Sequence, residues 1–212
     1  LKGINLLLVL LIFFKITVFS NVVGFEGIVK ILKEGPYDTV WIEILVKGNL
    51  VKVNEYDKGN RLQHSYIANL STGTTYLVSY HNKMFTRLER EKSATTSKSE
   101  LIKTENFMVL NGVKCYQWRV RNRDLGIETT YWVAQSQYTF LEKIFGILAN
   151  AGTALDEMAR IPEAKGIIPW MVVDRTKFRK IRSSIKIVDI KAAKISANTF
   201  NIPKEFSELI PT

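Results

Sequence analysis

Turn residues punctuate this chain about every eight to twelve positions, a spacing that confines it to a β-rich fold of short paired strands. Gly35-Pro36, Lys47-Gly48-Asn49, Lys58-Gly59-Asn60, Ser71-Thr72-Gly73 and His81-Asn82-Lys83 divide residues 25–90 into short runs. In the second run Val40, Ile42, Ile44 and Val46 share one parity, the period of a strand with one buried face. Residues 91–104 break the rhythm with a Ser/Thr/Lys-rich stretch that reads as a loop. Asn111-Gly112 then marks a tight hairpin, because both turn positions take positive φ. Residues 105–134 therefore predict a three-stranded meander.

The period changes after residue 135. Leu141, Ile144, Phe145 and Leu148 recur at helical spacing within 136–152, with Ser136 as N-cap and Gly152 as the stop. Residues 153–161 predict a second, short helix ended by Pro162. Strands return at 167–175 and 180–190, and 198–202 reads as a last short strand. The expected fold is mainly β (α+β): a curved antiparallel sheet of about 11 strands with two helices over one face.

Lys2, the apolar run 4–14 and the small residues Val18 and Ser20 have the layout of a secretory signal peptide. The run is shorter than the ~20 residues of a spanning helix. The expected division is a signal peptide at 1–20, with Lys15 leaving open its retention as an anchor, and one domain at 21–212. An exported chain with the single cysteine Cys115 forms no internal disulfide, and a monomer is expected. A net charge of +10 outside the cytoplasm points to anionic lipid headgroups, phosphates or acidic glycans rather than nucleic acid. A well-solvated surface accounts for it equally.

Asn-Gly-x-x-Cys-x-x-Trp (111–118), the Trp-Val-Ala strand end (132–134) before a helix, the basic strand after it and the closing FNIPKEF (200–206) resemble an uncharacterised family of exported bacterial proteins. That family is similar to the periplasmic lipoprotein carriers and their outer-membrane acceptors. The resemblance runs from FEGIVK to IPKEF. It implies an unclosed half-barrel whose concave side is plugged by the helices, and an acyl chain of a lipid or lipoprotein held between sheet and plug, in the periplasm or cell envelope. Each methylene so buried contributes about 0.8 kcal/mol. On this reading Trp118, Trp132, Phe140, Leu141, Ile144, Phe145, Leu148 and Trp170 line an apolar cavity; ordinary core packing is the plainer account of the same residues.

The stretch 177–194 places Lys180, Arg182, Ser184 and Lys186 on one parity and Ile181, Ile185 and Ile187 on the other. With Arg119 and Arg121 these cations form a candidate patch for an anionic membrane surface. Lysines guarding a sheet edge explain them as well. Strand parity sets Cys115 beside Arg119 and Arg121, and cations lower a thiol pKa. No base lies close in sequence, so a small strand residue is the default reading. His64 and His81 lack a third ligand for a metal site, and no cofactor is expected. The motifs of phosphate-binding loops, serine hydrolases and zinc proteases are absent. No catalysis is expected. The alternatives are an envelope hydrolase or glycan-processing enzyme using concave-face carboxylates, with Glu43 and Glu128 as the best pair, and a structural envelope component without a ligand.

Overall fold

The computed structural model describes residues 24–89, 99–122, 126–135, 138, 140–149, 158, 161–176 and 178–210, with the side chains of residues 148, 149 and 162 set aside. Its strands are β1 (Glu26–Glu34), β2 (Thr39–Lys47), β3 (Leu50–Tyr56), β4 (Leu62–Asn69), β5 (Thr74–Ser79), β6 (Met84–Leu88), β7 (Ser99–Leu110), β8 (Val113–Asn122), β9 (Ile127–Gln135), β10 (Ile167–Thr176), β11 (Ile181–Ala192) and β12 (Ser207–Glu208). They form one unclosed 12-stranded sheet in the order β12-β6-β5-β4-β3-β2-β1-β11-β10-β9-β8-β7. Every pairing is antiparallel except that of β12 with β6. Two runs of neighbours explain this order. Strands β1 to β6 pair in sequence, as do β7 to β11, and β1 joins the two runs through β11.

Three expectations change. Residues 99–104 are not loop: Leu101 and Ile102 pair with Val120 and Arg119 as part of β7. Their two apolar side chains outweigh the polar composition around them. Residues 198–202 are not a strand; Ala197–Phe200 is a 3-10 turn whose Ser196 side chain accepts from the Asn198 amide. The twelfth strand comes later, at Ser207. The signal peptide expected at 1–20 and most of the helix expected at 153–161 lie outside the described residues. Met158, within that second helix, is described as helical and buried.

Among the described residues there is one α-helix of more than a turn, α1 (Phe140–Ala149). Its apolar stripe, Leu141, Ile144, Phe145 and Ile147, joins a single core with Val29, Ile31, Ile44, Val53, Tyr131, Ile168 and Ile187 from the inner pleat of the sheet. Phe140 stacks on Phe25 with ring centroids 4.7 Å apart, fixing the start of the helix beside β1. Gly27 allows that contact. A Cβ there would meet the Phe25 ring at 2.6 Å and collide with the backbone of β11.

The opposite pleat is crossed by the C-terminal strap. Ile195 and Phe200 pack on Leu45, Phe206 meets Tyr80 edge-on, and the amides of Ser207 and Leu209 donate to the carbonyls of Lys83 and Phe85. Lys47 Nζ donates to Glu26 and to the Ile195 carbonyl, while the Ile195 amide donates to Glu26 at 2.7 Å.

Candidate functional site

The inner face is where the sheet, α1 and a folded-over hairpin meet. Asn111 and Gly112 both have positive φ, as the tight turn between β7 and β8 requires. That turn does not stay in the plane of the sheet. Asn111 Nδ2 donates to the Ile187 carbonyl on β11 at 3.0 Å, although β9 and β10 lie between β8 and β11. Three strand spacings amount to roughly 14 Å in a flat sheet, so the sheet must curl and the hairpin tip must fold over its inner face. Pairing of β8 with β9 runs only as far as Tyr116, which frees residues 110–115 to do so.

This fold-over decides Cys115. Its parity along β8 matches Arg119 and Arg121, yet it is 0% exposed and packed in the core. The inward parity changes along the strand, from Val113 and Cys115 at the tip to Trp118 and Val120 below. The expected place among the arginines is therefore corrected. Burial pushes the thiol up to about 11, the opposite of what nucleophilic or ligand chemistry needs.

Leu141, Ile144, Phe145 and Trp170 are buried against the inner face, and Trp118 and Phe140 are half-buried beside them. Leu148 has its side chain outside the described residues. Trp132 follows Tyr131 on β9 and so projects from the other pleat, level with Gln117 and Met171. Beside Ile147 a cavity of about 230 Å³ opens between α1 and the ends of β4 to β6. Ala68, Leu70, Leu88 and Ile147 supply its apolar wall, and Asn69, Thr75, Glu89 and Lys143 its polar one. It is smaller than the roughly 300–1,000 Å³ of a typical ligand pocket. Leu141, Ile144, Phe145 and Ile147 of α1 are themselves buried against the inner face, where the sequence reading places a ligand.

Register also redistributes the basic residues. Arg121 donates through Nε and Nη2 to Glu128 at 3.2 and 3.1 Å, and Arg119 lies 3.7 Å from the same carboxylate. Two extra residues interrupt β11, Arg182 opposite β10 and Val188 opposite β1. The first turns Arg182 towards Asp174, 3.7 Å away, and leaves Ile181 exposed rather than on the apolar face. Arg182 thus departs from the stripe that holds Lys186. Asp174, one of the carboxylates scattered through the sequence, is the partner of Arg182. Burial raises its pKa, its Oδ1 is buried without a hydrogen-bond partner, and the nearby Arg182 acts in the opposite sense.

Glu43 and Glu128 alternate with inward Ile42, Ile44 and Thr129 and so sit on the outer pleat, not the concave one. Glu43 accepts from Tyr56 at 3.4 Å, and four strand spacings, roughly 19 Å, separate β2 from β9. A carboxylate pair working across one bond sits about 5–9.5 Å apart. His64 is held by Glu55 at 2.6 Å, and His81 lies in the exposed β5–β6 turn. No metal-holding cluster occurs among the described residues.

An open, curled antiparallel sheet with a helix against its inner face and a strap across its outer face is the class of protein these features define. Within it, the chain is similar to an uncharacterized conserved protein from Thermus thermophilus, with a TM-score of 0.51 at 10% identity over 87% of this chain and 90% of that one. The two share a fold. The Pseudomonas aeruginosa MucA/MucB complex aligns at a TM-score of 0.49 and 9% identity, over 85% of this chain and 56% of the other. An outer membrane lipoprotein-sorting protein domain from Vibrio parahaemolyticus aligns at 0.33 and 10% identity, over 82% and 88%. Likeness at those two levels carries no argument about this chain. No family model matches it, and no curated protein matches it in sequence. No described helix is long and apolar enough to cross a membrane.

Proposed function

We propose that the chain is a non-catalytic binding protein of the cell envelope that accepts an acyl chain of a lipid or lipoprotein between α1 and the sheet. The observation that supports this reading is the inner face itself. It carries a continuous apolar cluster that includes Val29, Ile31, Ile44, Val53, Ile168 and Ile187, and its cover is an amphipathic helix with a cavity opening at its edge. Because that cavity is small, the ligand enters by displacing α1, whose stripe of Leu141, Ile144 and Phe145 occupies the place of a hydrocarbon chain. Export through the leader at 1–20 would place the chain where such lipids are found.

Native mass spectrometry and lipid extraction of protein purified from the envelope fraction test the reading. The expected result is one acyl-bearing lipid per chain and displacement of a fluorescent fatty acid by it. Empty protein that no fatty-acid probe enters overturns the reading. That outcome would favour a structural envelope component without a ligand.

A further inference from the structure

The turns at one end of the sheet expose large side chains that the inner-face reading does not use. Residues 175–182, RTKFRKIR, carry five cations and no carboxylate. Residues 175, 176 and 178–182 belong to the tip of the β10–β11 hairpin, closed by Thr176 N–H to Lys180 O at 2.9 Å and Arg179 N–H to Thr176 O at 2.8 Å, with Arg179 at φ 62°. Phe178 is 75% exposed and Ile181 59%. The β1–β2 turn lies beside this tip, since Glu34 pairs with Ser184, and there Tyr37 is 98% exposed. Glu34 and Asp38 are the acids of that turn, and Glu34 accepts from Ser184.

Edge protection does not explain these cations, because β10 and β11 lie inside the sheet. Arg175 is engaged by Thr130 and Arg182 by Asp174. Arg179 and Lys180 meet no carboxylate among the described residues. We propose that this rim docks on an anionic membrane surface, with Phe178, Ile181 and Tyr37 entering the headgroup boundary and Arg179 and Lys180 meeting lipid phosphates. A few protruding apolar groups ringed by cations suit a bilayer interface.

The buried Cys115 allows a local test in the full chain. An environment-sensitive fluorophore is attached to Ile181→Cys, and for comparison to Thr72→Cys in the exposed turn at the other end of the sheet. Vesicles of phosphatidylcholine, alone or mixed with phosphatidylglycerol, are then added. The label at 181 is expected to shift to the blue with the anionic vesicles only, and the label at 72 not to move. Arg179→Gln and Lys180→Gln should each weaken the response about fivefold, and salt should weaken it too. An unresponsive label at 181 overturns the proposal. So does a response that survives both substitutions, or one given by a single-stranded oligonucleotide and not by vesicles. The readout is separate from acyl-chain extraction, so either reading can fail alone.

Discussion

Cys115 and Asp174 show how strongly the surroundings of one residue decide its chemistry. The thiol is enclosed by the folded-over hairpin and donates to the Val113 carbonyl at 3.5 Å. A pKa near 11 keeps it protonated at any physiological pH. Native protein should therefore leave a thiol reagent unconsumed over the time in which denatured protein consumes one equivalent. Prompt labelling of the native state would disprove the enclosure. Asp174 has a folded pKa raised above the ordinary 3.8, chiefly by burial. Its ionised form thus weighs against the fold above the raised value, and the penalty disappears as pH falls below the unfolded value. Asp174→Asn should then stabilise the protein at pH 7 by roughly 1 kcal/mol. Thermal melts should show that advantage fading in acid.

At the scale of elements, α1 and the strap hold the sheet from opposite sides. Ile144→Ala removes fully buried volume between helix and inner face, and should cost about 2–5 kcal/mol in chemical denaturation. On the other side, the strap depends on Glu26, whose pKa is lowered first by the Ile195 amide and then by Lys47. That contribution is complete above the unfolded value of 4.5 and is lost as pH falls through the lowered folded value. Glu26→Gln should therefore lower Tm at pH 7 and make no difference in strong acid. The hairpins, α1 and its inward stripe were legible in the sequence because period and turn chemistry are local. What was not legible came from long-range geometry. Alternation along β11 predicts an apolar Ile181 and an outward Arg182, but the extra residue opposite β10 reverses both. Parity along β8 sets Cys115 among arginines, but the hairpin leaves β9 at Tyr116 and folds over. The pairing of Glu43 with Glu128 failed for a similar reason, since strand order alone sets their separation.

The whole molecule is an open sheet, and an open sheet has two edges whose unpaired backbone groups invite other strands. The two are treated differently. The β7 edge carries an irregularity between Lys103 and Phe107, where Thr104 and Asn106 bond Gln117, and such breaks blunt an edge. The β6 edge is regular and is covered by the chain's own strap, through the Ser207 and Leu209 amides. Proline at 207 and 209 removes both donors while leaving Phe200 and Phe206 to hold the strap nearby. Ser207→Pro with Leu209→Pro should consequently give concentration-dependent association in sedimentation velocity, with only a modest fall in Tm, while the native chain sediments as one species. A doubly substituted protein that stays monomeric at every concentration would mean that β6 needs no cover. The strap would then serve only to tie Ile195 and Phe200 to the outer face.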